Sequence, residues 1–350
     1  MTVLIVTFNN LSKCPYVNPY VKFCKEHGIG YEIIYPNRSG SSEAWEGSRY
    51  EVAWKKSAGK PVNFLHFRSA VLSHLKRKRY DFVIILTTFP AVLMSSYMSR
   101  HYKGRYLVDI RDYTYEKNKL YFALEKRAIR HSAINVISSP GFRNFLPEGQ
   151  YLLCHNVNDT YRKASCRRFA PSENDRLIIG YVGSISYKKQ CIKMIDLVKE
   201  DDRFCLHFYG DEVTDHQVTE YVASLNCERI RTFGPYHPQE KDEILSKVDI
   251  LFGAYGNGRE LLIHALSNKL YDSFHMGLPL LTSSSTAMSE AAADFSFDLD
   301  PDQSDSLDRV YQWYYQIDAD AFHGYSQNYM RKVFEQQDEF YAHLYNAIVR

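Results

Sequence analysis

Positions 180–200 read GYVGSISYKKQCIKMIDLVKE, and the way this stretch folds settles the architecture of the chain. An apolar run, Leu177–Val182, ends at Gly183. A short polar turn follows, and then a lysine pair, Lys188 and Lys189, stands before a segment whose apolar residues recur at helical spacing. Strand, glycine turn and helix in succession form the βα unit of a parallel sheet. Such a turn can leave backbone N–H groups and a helix N-terminus open to an anion, and Lys188 or Lys189 can neutralise a diphosphate. Taken alone it reads equally as an ordinary βα connection. No G-x-G-x-x-G or G-x-x-x-x-G-K-[ST] pattern accompanies it, so dinucleotide dehydrogenases and P-loop kinases lack their main motif.

Working outward, the same alternation fills the chain. In the second half the strand candidates are Leu177–Val182, Phe204–Tyr209, Ile230–Phe233, Asp249–Ala254, Leu278–Thr282 and Phe295–Leu299. In the first half they are Val3–Phe8, Gly30–Tyr35, Phe64–Phe67, Phe82–Thr87, Tyr106–Ile110 and Ile134–Ser138, each followed by a helical pattern. Between residues 155 and 177 the periodicity fades into a polar, basic stretch that reads as a linker. From Ala321 to Arg350 the pattern is helical, with an aromatic stripe (Tyr325, Tyr329, Phe334, Phe340, Tyr341, Tyr345) that reads as core packing. Two doubly wound α/β domains follow, over 1–165 and 166–325, with a terminal helix over 326–350 that can return to the first domain. A length of 350 residues suits two domains. Ligands of such sheets bind outside the carboxyl ends of the strands, so the loops there hold the candidate sites.

Composition narrows the class. With 45% hydrophobic and 24% charged residues the chain is globular, not disordered or collagen-like. The seven cysteines are scattered without C-x-x-C spacing, which indicates neither a disulfide framework nor a zinc knuckle and suggests a reducing compartment. The start, MTVLIVTFNN, has no basic n-region and reads as a first buried strand, with no export signal. Phe82 to Ser99 runs uncharged for 18 residues, long enough for a membrane span. Its hydroxyl residues, and Pro90 just after the β-branched run Val83-Ile84-Ile85, favour strand, turn and helix instead.

The net charge of +2 conceals an asymmetry: residues 1–165 carry +13 and residues 166–350 carry −11. Basic clusters lie at Arg77-Lys78-Arg79, Lys103 to Arg105, Lys126-Arg127 with Arg130, and Arg162-Lys163 with Arg167-Arg168. A cationic face attracts an anionic bilayer, each Lys or Arg contributing about 1 kcal/mol near acidic lipid. The alternative is a solvated basic face without a partner. No nucleic-acid motif accompanies the clusters, and nucleic acid is not expected as a partner.

A second informative stretch is LSNKLYDSFHMGLPLLTSSS, 266–285, a short amphipathic helix closed by Gly277. Lys269 and Asp272 are three apart and share a helix face. There a carboxylate can accept two ribose hydroxyls and a lysine can meet phosphate, or the two can form a surface ion pair worth under about 1 kcal/mol. Metal chemistry finds no support. DLDPDQSD at 298–305 lacks the central glycine and closing glutamate of a calcium loop, and Cys24 with His27 or Cys154 with His155 lack further ligands at zinc spacing. No Gly-x-Ser-x-Gly elbow is present.

The two stretches together, G-Y-V-G-S-I-S-Y-K-K and then N-K-L-Y-D-S-F-H-M-G-L-P-L-L, resemble the donor domain of family-4 retaining glycosyltransferases of the GT-B fold. In the first half, YLVDIRDYTYE (106–116), INVISSPGFRNFLP (134–147) and CHNVND (154–159) are similar to that family's Asp-x-Arg-Asp, Ser-x-Gly-Phe and Asn-Val segments. The resemblance spans most of the chain, and its nearest relatives are transferases of capsule, exopolysaccharide and lipopolysaccharide assembly. It implies two Rossmann-like domains facing a central cleft, with a C-terminal helix packing across them.

Carried over by position, the resemblance assigns the donor to Gly183, Ser184, Lys188, Lys189, His264, Asn268, Lys269, Leu270 and Asp272. Lys189, Lys269, Asp272 and Asp112 are the residues it implies for catalysis. Asp109, Arg111, Asp112 and Ser139 are implied for the acceptor, although Asp109 with Arg111 can equally be a structural salt bridge. Asp272 stands at the second glutamate of the family's Glu-x7-Glu motif. Two positions depart from the pattern: His264 replaces the first glutamate, and Ser184 replaces the common arginine after the strand glycine. One phosphate charge must then come from Lys188, Lys269 or Arg259. The implied function is retaining sugar transfer from a UDP- or GDP-sugar to a glycan or lipid-linked glycan in bacterial surface polysaccharide assembly. It needs no cofactor or metal, and takes place in the cytoplasm at the inner face of the membrane. The alternatives are a sugar-nucleotide epimerase of the same fold and a non-catalytic nucleotide-sugar-binding partner subunit.

Overall fold

The computed structural model describes residues 1–40, 45–212 and 215–349. The chain divides into two compact units, Met1–His155 together with Glu335–Arg350, and Asn156–Phe334. Each is built on one fully parallel sheet.

The first unit's strands are β1 (Thr2–Val6), β2 (Gly30–Asn37), β3 (Ser48–Ala53), β4 (Phe82–Leu86), β5 (Tyr106–Ile110), β6 (Ile134–Ile137) and β7 (Leu152–Leu153). They lie in the order β3-β2-β1-β4-β5-β6-β7. Ile5 of β1 stands between Ile33 of β2 and Ile84 of β4. Every residue of β4 and β5 is buried, because helices cover both faces of a parallel sheet; β4 therefore reads as an unbroken apolar run, and β5 as one interrupted only by Asp109. The chain order reverses between β1 and β4. Such a switch point opens a crevice at the carboxyl ends of the strands.

The second unit repeats the plan with β8 (Leu177–Val182), β9 (Phe204–Tyr209), β10 (Ile230–Thr232), β11 (Ile250–Phe252), β12 (Leu280–Thr282) and β13 (Ser296–Asp298). Their order is β10-β9-β8-β11-β12-β13, with the switch point between β8 and β11. The expected doubly wound α/β class is thus present twice.

Some elements differ from the reading of the sequence. Phe64–Phe67 is not a strand but part of the helix Lys60–Arg77, in which Phe67, Val71 and Leu75 recur every fourth residue and are buried. Pro61 opens that helix, where its missing N–H costs nothing. The sequence reading lacked both edge strands: β3 buries only Val52, which hides its apolar signal, and β7 is two residues long. Phe82 to Ser99 does form strand and then helix, Thr88–His101, and among the described residues no helix is long and apolar enough to cross a membrane. Residues 155–176 hold no strand, only a short 3-10 turn at Asp159–Lys163, yet Tyr161, Cys166 and Phe169 are buried in the second unit's core.

The last helix runs from Ala319 to Val349. Phe322, Met330 and Val333 belong to the second unit's core, whereas Phe340, Leu344 and Ile348 belong to the first unit's core beside Val17, Tyr20 and Phe23. Most of the aromatic stripe accordingly packs, as Phe340 does edge-on against Tyr20, while Tyr345 at its end is exposed.

Candidate functional site

In the second unit the loops at the switch point are rich in glycine. Gly183, directly after β8, has φ +122°, a conformation that an L-residue with a side chain adopts only under strain. A Cβ on Gly210, after β9, would come within 2.1 Å of the Gly183 carbonyl oxygen, so these two turns can close on one another only as glycines. The loop after β11, Gly253-Ala-Tyr-Gly-Asn-Gly-Arg259, is tied down by the Gly256 N–H donating to Ser283 Oγ at 2.8 Å and the Asn257 amide donating to the Ser284 carbonyl at 3.1 Å.

Lys269 reaches this turn from the helix Asn268–Met276. Its Nζ lies 3.8 Å from the point a Cβ on Gly183 would occupy. It stands 4.1 Å from the ring centre of Tyr181 and 5.1 Å from that of Tyr255, which itself stacks on Tyr187 at 4.2 Å. Ring faces attract a cation. Among the described residues no carboxylate comes within ion-pair distance of this ammonium, and the residue is only 6% exposed. Burial pushes its pKa down to about 7, against the pull of Asp272 and with the help of Lys241. A buried cation without a carboxylate is costly unless an anion arrives.

The other residues assigned to the donor are placed as follows. Lys188 and Lys189 are the first two residues of the helix Lys188–Lys199, whose N-cap residue Tyr187 makes no side-chain capping bond. Lys189 is exposed, and Lys188 pairs with Asp215 at 2.7 Å. Ser184 and Asn268 are exposed, and Leu270 is wholly buried in the core. Asp272 is 3% exposed and already held: the Tyr161 hydroxyl and the Lys241 ammonium each donate to its Oδ1 at 2.8 Å, and Lys241 reaches Oδ2 at 2.6 Å. The carboxylate implied for a ribose thus serves the protein's own donors. His264 Nε2 lies 3.6 Å from Glu260 Oε2, one turn earlier on the short helix Glu260–His264. Glu260 escaped the sequence reading because it lies outside the motif spacing.

In the first unit Asp109 and Arg111 form a bidentate pair, Nε to Oδ1 at 2.6 Å and Nη2 to Oδ2 at 2.8 Å. The Tyr20 hydroxyl donates to Asp109 Oδ2 at 2.7 Å, and Arg111 Nη1 donates to the Cys154 carbonyl at 2.8 Å. Both side chains are buried and spent on each other. Ser139 is fully buried and accepts from the Gly141 N–H at 3.2 Å. Of the four residues assigned to an acceptor, Asp112 lines a concavity at the carboxyl ends of the strands. Desolvation raises its carboxyl, opposed by Arg111 and aided by Asp109.

That concavity, about 280 Å³ in volume, was not anticipated. Phe8 follows β1, Arg38 follows β2, Trp54 follows β3, and Thr87 and Phe89 follow β4. All lie within three residues of a strand end, the one signal in the sequence that could have pointed to them. Among the described residues no cluster of three or more His, Cys, Asp or Glu is arranged to hold a metal ion.

Solved structures share this architecture end to end. Sucrose-phosphate synthase from Thermosynechococcus elongatus superposes with a TM-score of 0.73 at 11% identity, over 99% of this chain and 100% of that one. The Anabaena protein HepE, solved with UDP and glucose, gives 0.67 at 11% identity, over 99% and 100%. A UDP-N-acetylglucosamine 2-epimerase gives 0.59 at 10% identity, over 93% and 90%. The chain has the GT-B fold. No family model and no curated protein sequence matches it. At identities this low the likeness is one of fold, so function has to be argued from the chain's own residues.

Proposed function

We propose that the chain is a nucleotide-sugar-dependent glycosyltransferase whose second unit binds the donor's diphosphate at the Gly183 turn. The observation that carries this reading is the Lys269 ammonium, buried in a tyrosine box behind a glycine turn without a carboxylate partner. A diphosphate supplies the missing negative charge, and the uncapped N-terminus of the helix Lys188–Lys199 with the exposed Lys189 adds to the attraction. The tyrosine rings keep water from the ammonium, which strengthens its pull on phosphate oxygen.

In this reading the bond between the sugar C1 and the diphosphate oxygen breaks. The electron pair leaves with the nucleoside diphosphate, where Lys269 and Lys189 stabilise it. An acceptor hydroxyl attacks C1 on the same face, so configuration is retained, and its proton passes to the departing phosphate oxygen. Catalysis is then charge stabilisation and alignment, with no covalent intermediate on the protein. Asp112 is the residue we assign to the acceptor hydroxyl. The donor is a UDP- or GDP-sugar, and the acceptor is a glycan or lipid-linked glycan of bacterial surface polysaccharide. The basic first unit rests on the inner leaflet, and salt-sensitive retention on acidic liposomes tests that part.

A thermal-shift panel of nucleoside diphosphates and their sugars tests the donor site, since a ligand at 100 times its dissociation constant adds about 2.7 kcal/mol. A second reading, a sugar-nucleotide epimerase, is favoured by the epimerase of like fold. Product analysis with donor alone separates the two: an epimerase releases an isomeric nucleotide-sugar, a transferase does not.

A further inference from the structure

Seven loops and helix ends of the first unit converge on the concavity at its switch point, and their chemistry is unusual. Phe8 is the hub of an aromatic basin: its ring lies 6.0 Å from Trp54, 5.6 Å from Phe64 and 4.7 Å from Phe89. Arg38 is laid across this basin, its guanidinium carbon 4.6 Å from the ring centre of Phe8 and 4.6 Å from that of Trp54. Its Nε is buried without a hydrogen-bond partner, and among the described residues no carboxylate pairs with it. Stacking between two rings fixes the plane of the guanidinium and leaves its donors unspent. A buried donor without a partner costs about 1–3 kcal/mol, and such a cost persists where a ligand supplies the acceptor.

Two further features point the same way. Lys60, exposed, lines the rim, and the N-terminus of the helix Thr88–His101, without a side-chain cap, begins at the wall. Thr87, the residue before that helix, holds φ +76°, a left-handed conformation that is rare for a β-branched residue and that concentrates at ligand sites. Asn9, Asp112 and Thr114 add groups suited to hydroxyls to the lining, beside Tyr115. A volume near 280 Å³ is at the small end for ligand pockets, enough for one sugar residue with a charged substituent.

We infer that this concavity binds an acidic saccharide: one sugar ring set beside Phe89 and the polar lining, with its carboxylate or phosphate on the edge of the Arg38 guanidinium, which itself covers the Phe8 and Trp54 rings. A planar fork held flat by two rings matches either oxyanion bidentately, which a neutral hydroxyl cannot exploit. The inference rests on the glycosyltransferase reading only in naming this saccharide as the acceptor. Binding itself is measurable without any transfer.

The test uses the full chain with UDP in excess, so that the anion site of the second unit is filled. Binding of glucuronate, glucose 6-phosphate and neutral glucose is followed by ligand-detected NMR at low salt. At least one acid is expected to bind tenfold or more tightly than glucose, and the better of the two tells whether the natural group is a carboxylate or a phosphate. Arg38→Gln is expected to abolish that preference, and Lys60→Gln, a surface change that leaves folding intact, to reduce it about threefold. Equal binding of glucose and both acids, or an acid preference untouched in both variants, overturns the inference. Loss of UDP binding in the same experiment would count against the donor site instead, so the two failures are distinguishable.

Discussion

Lys269 Nζ and Gly183 are neighbours across the switch point of the second sheet, 3.8 Å apart when measured to the place a glycine side chain would begin. The ammonium and the turn therefore share one small space, and whatever anion enters must approach both. Gly183→Ala puts a methyl group into that space and forces φ +122° on a residue with a side chain. The expected result is a loss of about 1–2 kcal/mol in stability and at least tenfold weaker nucleoside diphosphate binding, read by denaturant unfolding and calorimetry. Unchanged affinity would remove the turn from the site.

Replacing the lysine separates stability from function. The buried ammonium opposes folding, because its pKa falls from 10.5 to about 7 on burial. Lys269→Met keeps the packing and removes the charge, while Asp272 stays paired with Lys241 and Tyr161. The variant should unfold about 1–2 kcal/mol later than the parent at neutral pH, yet lose nucleotide binding, as sites built for ligands commonly trade one for the other. A variant both less stable and binding-competent would show the lysine to be structural.

The Asp109–Arg111 pair makes the opposite prediction. Arg111→Ala leaves a fully buried carboxylate without its partner, a situation that typically costs 3–5 kcal/mol. The double change Asp109→Asn with Arg111→Met should recover much of that loss. Chemical denaturation of the single and double variants checks this; a single variant of unchanged stability would return the pair to the list of ligand contacts.

Glu125 is buried with neither carboxylate oxygen bonded, and burial, aided by Glu116, raises its pKa to about 8. The folded chain therefore holds this proton where the unfolded chain has released it, so stability falls as pH rises from the usual carboxylate range near 4.5 towards 8. Glu125→Gln should remove that slope and be more stable than the parent at pH 8 by about 1–3 kcal/mol, compared by unfolding at pH 5 and pH 8. Parallel pH profiles for the two proteins would contradict it.

The sheets were legible in the residues because buried parallel strands are unbroken apolar runs, as in Val83-Ile84-Ile85. Edge strand Ser48–Ala53 was not, since it buries one side chain. Phe64–Phe67 misled because two aromatics in a short window fit a strand, while the four-residue recurrence through Val71 and Leu75 becomes clear only over the whole helix. For the site, Lys269 and Gly183 could be named from motif positions, but not the tyrosine box, because Tyr181, Tyr187 and Tyr255 are brought together only by the sheet. Asp272 could not be distinguished from an open ligand until Tyr161 and Lys241 were seen to hold it. Arg38 and Trp54 carry no motif at all; the sheet brings them over the Phe8 ring.

The most direct measurement is calorimetric titration of UDP and of GDP between pH 7 and pH 9, in buffers of differing ionisation enthalpy, with the parent and Lys269→Met. A lysine with pKa about 7 must take up a proton as the diphosphate binds. The account predicts proton uptake by the parent, affinity falling up to tenfold per pH unit above 7, and neither effect in the variant. Binding of equal strength in both proteins, without proton uptake, would contradict it.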